Sequence, residues 1–388
     1  MSAAAVVGIG QTEYSRESGR SEWELAVEAV AAAVADAGLE PADVDGLVRY
    51  SYDSVDEAML ARSLGLRLSS YGQTGYGGLG APGVVAQAAA VVAAGQARVV
   101  VCYRALNGRS RTRYGRAERS LGDGAGDLVA TGDRAPSGAF AGPYGLLSPG
   151  QVMALWARRY QWECGLAEDD LVAALCRVAV EQRAYARRNP AAVLRDRDLD
   201  VDGYLAGRLV STPLRLYDLA LETDGAAAVV VAAADVAAAA PEPPAWVRGA
   251  VLAMFPYAES VSVYGELRNG PTYRAVADQL YERAGVGPGD LAAAMVYDAT
   301  TVSVLLGLEA YGLAPVGAAW RTVAEQGLGP DAPVPVNTSG GHLSEAYVHG
   351  MNHVVEAVRQ VRGTSTAQVA SRGPVLVSSG PGAVVLAP

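Results

Sequence analysis

A chain of 388 residues, half of them hydrophobic, can bury a sizeable core and has the length for two domains or one large duplicated one. Its net charge of −10 argues against a nucleic-acid partner, because phosphate binding needs a basic surface. Cys102, Cys164 and Cys176 share no metal-ligand or redox spacing, the N-terminus has no basic start ahead of a long apolar run, and apolar stretches are too short to span a membrane. A cytoplasmic protein without disulfides or a membrane span is expected.

In chain order, Gly8-Ile-Gly10 lacks the remaining glycines of a dinucleotide fingerprint. A helix ends at Asp36-Ala-Gly38-Leu-Glu-Pro41-Ala-Asp43, and a strand runs from Asp45 to Tyr50, with Gly as the C-cap and Pro after the stop. A glycine-rich turn, Thr74-Gly-Tyr76-Gly-Gly-Leu-Gly-Ala81, precedes a helix, and a further apolar strand ends at Cys102. The basic run Arg109-Ser-Arg111-Thr-Arg113-Tyr-Gly-Arg116 is either a solvated loop or a contact for the phosphates of an anionic ligand. A glycine-rich segment, Gly122-Asp-Gly-Ala-Gly-Asp, leads to a helical run from Gln151 through Arg188. From Asp224 a continuous apolar strand reads as one covered on both faces, and Ala237–Pro244 reads as a linker.

The second part repeats the first. Arg283-Ala-Gly285-Val-Gly-Pro288-Gly-Asp290 leads into a strand ending at Tyr297, at a constant offset of 247 from Ala37-Gly38, Pro41, Asp43 and Tyr50. The Gly-Ala strand after Asp224 reappears after Pro381. The chain therefore divides into two copies of one α/β unit, residues 1–240 and 245–388, the first enlarged by an insertion from about 105 to 212 suited to covering a substrate.

All three histidines, His342, His349 and His353, fall within twelve residues of the second copy, after Asn337-Thr-Ser-Gly-Gly341. This stretch reads as a strand-to-helix turn where glycines allow close approach of a ligand, and it is the best candidate for an active site. His349 and His353 are spaced to share a helix face, with Glu345 the nearest acid, but no metal is assigned. Asp298, ahead of Ala-Thr-Thr-Val-Ser-Val-Leu-Leu, is expected to cap that helix.

These stretches resemble the thiolase superfamily, in its sterol-carrier-protein and lipid-transfer-protein branch. The resemblance covers nearly the whole chain through Val7-Gly-Ile-Gly-Gln-Thr12, Asp36-Ala-Gly-Leu, Asp224-Gly-Ala-Ala-Ala, the run from Asp298 to Leu313, and Val336-Asn-Thr-Ser-Gly-Gly341. It implies a five-layered αβαβα fold of two similar halves with an inserted loop domain, usually dimeric and acting on acyl-CoA esters. The superfamily's reactive groups are replaced one after another. The nucleophilic cysteine's place falls at or next to Gly78. The Gly-His-Pro motif is Ala346-Tyr347-Val348, the branch's His-Asp is Tyr297-Asp298, and the C-terminal cysteine is missing from Leu376-Val-Ser-Ser-Gly380. Without a thiolate no acyl-enzyme forms, which rules against thiolysis.

Two phenols at positions that hold polar catalytic groups in relatives suit a retro-aldol cleavage. Tyr297 and Tyr347 would act as base and acid, in either order, on a β-hydroxyacyl-CoA. A phenol titrates near about 10, so His342, His349 or an arginine would have to adjust it. Asp298 joins them as a supporting residue. Backbone N–H groups near Gly78 and Gly380 would hold the enolate. No metal or organic cofactor is called for, since acyl-CoA is the substrate. The missing cysteines make the chain most similar to the aldolases of bacterial steroid side-chain degradation. That resemblance implies a 17-hydroxy steroid CoA ester and a small OB-fold partner, often attached to a MaoC-like hydratase subunit. The alternative is a non-catalytic acyl-CoA- or lipid-binding subunit of a complex. At the repeat position of Tyr297, Tyr50 raises the reading of an inherited structural tyrosine.

Overall fold

The computed structural model describes residues 4–74, 80–113, 142–146, 148–253, 270–380 and 382–388. Its strands are β1 (Ala4–Gln11), β2 (Gly46–Tyr50), β3 (Ser70–Thr74), β4 (Val99–Asn107), β5 (Leu209–Ser211), β6 (Leu214–Arg215), β7 (Asp224–Ala233), β8 (Ala245–Leu252), β9 (Ala293–Val296), β10 (Val375–Ser379) and β11 (Gly382–Ala387). The helices of eight or more residues are α1 (Glu22–Asp36), α2 (Glu57–Leu64), α3 (Ala81–Ala93), α4 (Pro149–Cys164), α5 (Glu168–Arg188), α6 (Gly270–Ala284), α7 (Thr301–Ala310), α8 (Ala319–Gln326) and α9 (Met351–Arg362).

Nine strands hydrogen-bond in the order β3-β2-β4-β7-β1-β8-β11-β10-β9, and β5 and β6 form a separate hairpin. β1 and β8 join antiparallel through Ala5↔Trp246 and Val6↔Ala245. The pattern is the same on both sides of that join. β1, β7 and β4 run antiparallel in turn and β2 lies parallel to β4. Likewise β8, β11 and β10 run antiparallel and β9 lies parallel to β10.

Side-chain alternation turns this sheet into layers. In β7, Ala226, Ala228, Val230 and Ala232 pack outward against Leu25, Ala29 and Ala33 of α1. Between them, Ala227, Val229 and Val231 pack inward with Val84 and Val85 of α3 and Val354 and Val358 of α9. In β11, Val384 and Leu386 enter that same central cluster. Its other face, Ala383 and Val385, meets Val276 and Leu280 of α6 and Leu305 of α7. The order is α1, sheet, α3 with α9, sheet, α6 with α7, the expected αβαβα arrangement. Strands covered on both faces explain the unbroken apolar runs.

Close helix-on-strand packing explains Gly8. A Cβ there would lie 2.1 Å from the Ala33 carbonyl oxygen of α1, and at Gly249 of β8 it would lie 2.9 Å from the Ala284 nitrogen of α6. α1 starts on a capping box between Ser21 and Glu24 and stops before Gly38 at φ 70°.

The inserted helical run breaks at Gly165, φ 63°, into α4 and α5. Although inserted into the first repeat, these helices pack on the second. Tyr160, Leu171 and Leu175 share a cluster with Val302, Leu305 and Tyr311. Just past α5, Asn189 Nδ2 donates to the Ser339 carbonyl and to Glu345 Oε1, both at 3.0 Å, and the Val193 N–H donates to the Glu345 carbonyl at 2.9 Å. The insertion thus braces the histidine segment. Cys102 lies in the middle of β4 rather than at its end, because the strand continues through Tyr103 and Arg104. The glycine-rich segment 122–127 lies outside the described residues.

Candidate active site

Tyr297 directly follows β9. Its N–H donates to the Ser378 carbonyl of β10 at 3.1 Å. The Asn337 amide brackets the preceding residue, accepting from the Val296 N–H at 2.8 Å and donating to the Val296 carbonyl at 2.9 Å. Tyr347 comes from the histidine segment, where its N–H donates to Thr223 Oγ1 at 2.9 Å, just ahead of β7. The two side chains meet, with hydroxyl oxygens 2.8 Å apart. Tyr297 is 9 % exposed, and Tyr347 is half-buried.

His342 is fully buried between them, with ring centroids 4.8 Å from Tyr297 and 4.9 Å from Tyr347. Behind it lies Asp298, also fully buried. Its carboxylate binds His353 Nε2 at 2.8 Å and accepts the backbone N–H groups of His342 at 3.0 Å and Leu343 at 3.3 Å. His342 Nδ1 lies 3.0 Å from the same oxygen, but its ring forms no aligned hydrogen bond among the described residues. Gly341 makes this approach possible: at φ 58°, a Cβ would stand 2.2 Å from Asp298 Oδ2.

Three expectations are corrected. Asp298 does not cap α7; Thr300 does, its hydroxyl accepting from the Ser303 N–H at 3.3 Å, because the chain turns helical two residues later than expected. His349 and His353 do not share a helix face, since His349 sits at φ 49° ahead of Gly350 and Met351, where α9 begins. Glu345 binds Ser339 and Asn352 as well as Asn189, away from both. The donor atoms that do gather within 4.8 Å of one another belong to Asp298, His342 and His353, at hydrogen-bond spacing.

Gly380 occupies the turn between β10 and β11 at φ 49°, two residues past the Ser378 carbonyl that holds Tyr297. Gly78 lies outside the described residues, as do residues 114–116 of the basic run, whose Arg113 pairs with Glu222 at 2.6 Å.

The electrostatics reverse the expected tuning. Burial, then the neighbouring Tyr347, pushes the Tyr297 phenol well above its ordinary range. Burial lowers His342 against the pull of Asp298, and burial with the Arg104 charge holds His349 well below the usual histidine range. Burial also works to raise Asp298, but His342 and His353 outweigh it and hold the carboxyl below the usual range. The imidazoles of His342 and His349 are therefore neutral at neutral pH, and Tyr297 keeps its proton.

Sequence reasoning missed Arg104 and Asp53. Arg104, in β4, donates from Nε to His349 Nδ1 at 3.0 Å and from a terminal nitrogen to Asp53 Oδ1 at 2.6 Å. A lone arginine inside the apolar run Val99–Leu106 was the available signal. His353, considered from the sequence only for a helix face shared with His349, binds Asp298.

Residues 260–386 match the thiolase C-terminal domain-like family. A steroid side-chain-cleaving aldolase of Thermomonospora curvata is 43% identical, covering 98% of this chain and 95% of its own. A 17-hydroxy-3-oxo-4-pregnene-20-carboxyl-CoA lyase of Mycobacterium tuberculosis is 39% identical, covering 98% and 96%. The solved Ltp2-ChsH2(DUF35) aldolase superposes with a TM-score of 0.88 at 40% identity, covering 99% of this chain and 97% of that one. A monomeric SCP2-thiolase-like protein of Mycobacterium smegmatis gives 0.74 at 18% identity, over 99% and 77%, a likeness of fold.

Proposed function

The chain belongs to the steroid side-chain-cleaving aldolases of the thiolase superfamily, and from that premise we propose that its substrate is a 17-hydroxy steroid side-chain CoA ester, cleaved to a ring ketone and a short acyl-CoA. The observation behind the mechanism is the 2.8 Å contact between the Tyr297 and Tyr347 hydroxyls. Tyr347, the more exposed, takes the substrate's hydroxyl proton as its own passes to Tyr297. Tyr297, held protonated by burial, delivers its proton to the α-carbon. The bond between α- and β-carbons breaks as these protons move, and its electron pair becomes the new C–H bond through a transition state of enolate character. The hydroxyl oxygen becomes the ketone oxygen. One proton enters the pair and one leaves, so neither phenol has to ionise.

Backbone N–H groups at the turns near Gly78 and Gly380 stabilise the enolate in this scheme. Asp298, His342 and His349 support the pair without touching the reacting carbon. No step is routed through a metal or organic cofactor. The same reading takes residues 1–240 and 245–388 as the two halves, in a cytoplasmic homodimer. A small OB-fold partner, fused or bound to a MaoC-like hydratase subunit, completes the complex. No helix among the described residues is long and apolar enough to cross a membrane.

The test supplies the chain and its partner with a tertiary β-hydroxyacyl-CoA in the presence of a chelator. Release of ketone and short acyl-CoA is expected. Tight binding without turnover would instead identify a non-catalytic acyl-CoA-binding subunit.

A further inference from the structure

The Asp53–Arg104 pair is the one buried ion pair of arginine and carboxylate, among the described residues, with both side chains no more than 2 % exposed. Such a pair is expensive to bury and its stabilising value is small, so its placement needs another reason. A guanidinium only donates hydrogen bonds. Arg104 Nε points at His349 Nδ1, which must therefore accept and carry no proton. In a neutral ring the proton then sits on Nε2. Asp53 accepts from Arg104, from the Tyr50 N–H at 3.0 Å and from the Ala105 N–H at 3.3 Å. Burial raises this carboxyl, while the Arg104 charge and the three donors oppose the rise. An acceptor met only by donors is the pattern of an ionised carboxylate that orients the guanidinium.

The histidine backbone is fixed as well. His349 sits in the left-handed region, and the Tyr50 hydroxyl donates to its carbonyl at 3.1 Å. Its ring packs edge to face on Tyr347, with centroids 4.8 Å apart. Arg104 from β4, Tyr50 and Asp53 from β2 and its following turn, and His342 and Tyr347 from its own segment surround it. Of these, only Arg104 and Asp53 are charged at neutral pH.

We propose that Arg104, held by Asp53, is a positioning residue that locks His349 as a neutral imidazole with its proton on Nε2, in the ring that lies against Tyr347. His349 is then a fixed donor to negative charge developing beside Tyr347, and never a base. The consequence for turnover rests on the lyase reading; the tautomer does not.

Histidine-selective 15N labelling of the intact protein reads only three side chains, and a His349→Gln variant assigns the signal. His349 is expected to show an unprotonated Nδ1 and a protonated Nε2 throughout the range of about pH 5.5 to 8, where an ordinary histidine would titrate. A proton on Nδ1, or titration near the ordinary value, overturns the proposal. In Arg104→Gln, Nδ1 loses its donor and the neighbouring charge, so the His349 pKa should rise from the wild-type one with burial still opposing. The single-tautomer signal should give way to a mixture of Nδ1- and Nε2-protonated rings, and kcat should fall with KM unchanged. A folded Arg104→Gln variant that keeps the single wild-type tautomer of His349 also overturns it. Should that variant fail to fold, the wild-type spectrum decides alone. The expected spectrum in a protein without lyase activity would retain the tautomer and discard the lyase reading.

Discussion

Tyr50 and Tyr297 stand at the same place in the two repeats, each where a parallel strand of its sheet gives out, yet they do different work. Tyr50 is completely buried and spends its hydroxyl on the His349 carbonyl, with the Arg104 guanidinium 5.6 Å from its ring centre. Tyr297 meets the Tyr347 hydroxyl instead. The next residue marks the difference: an exposed Ser51 in the first repeat, a fully buried Asp298 in the second. Both phenols reach into one short segment, 347–349, from opposite halves of the nine-stranded sheet. Duplication supplied two equivalent phenols, and the asymmetric segment between them gave one the His349 carbonyl and the other the Tyr347 hydroxyl as partner.

The comparison breaks most directly at the proposed reacting pair. Tyr297→Phe and Tyr347→Phe are each expected to lower kcat by about 10²–10⁴-fold with little change in folding. Turnover within a few-fold of wild type would remove the proton path. Next comes the glycine that lets Asp298 close. Gly341→Ala places a Cβ against Asp298 in left-handed backbone, and a loss of about 1–3 kcal/mol in urea unfolding is expected, with reduced turnover. An unchanged midpoint would mean that the segment relaxes freely.

The third effect is one of pH. In the unfolded chain His342 and His349 take up protons near about pH 6.5, whereas the folded protein resists protonation there because both values are lowered. Below that pH the unfolded state binds more protons, so stability falls with acidity, by about 1.4 kcal/mol per pH unit for each such proton. Above about pH 7 these groups contribute no slope. Unfolding midpoints at pH 7.5 and 5.5 should separate, and less so in His349→Gln; equal slopes in the two proteins would contradict the buried neutral imidazole. The smallest effect is at the structural counterpart. Tyr50→Phe loses one buried hydrogen bond, about 0.5–1.5 kcal/mol, and turnover should fall several-fold at most. A Tyr50→Phe loss as deep as that of Tyr297→Phe would erase the distinction between the repeats.

Local chemistry made much of this visible early. The Gly-Pro-Asp helix stops repeat along the chain because both units end a helix and enter a strand in the same way, and the structure keeps Gly38 and Gly285 at φ 70° and 67°. The apolar runs announced strands covered on both faces. Tyr297 and Tyr347 were singled out by their positions against the thiolase motifs, and the structure brings their hydroxyls 2.8 Å apart. The capping role of Asp298 and the helix face of His349 and His353 were misread, since one turned on the extended backbone at Thr300 and the other on the left-handed φ of His349 itself. Arg104 was overlooked because its importance lies in His349, which is 245 residues distant in sequence.

Periodicity and the internal repeat therefore determined the layered duplicated framework, since hydrophobic alternation and helix caps act over a few residues, and the resemblance to the thiolases marked the positions that lack a cysteine. Only the tertiary structure decided how far burial raises the Tyr297 phenol, which carboxylate meets the histidines and which nitrogen of His349 accepts. Those choices depend on burial and on charges brought within about 3 Å across the chain, where a low-dielectric interior shifts a proton equilibrium that short-range sequence patterns do not encode.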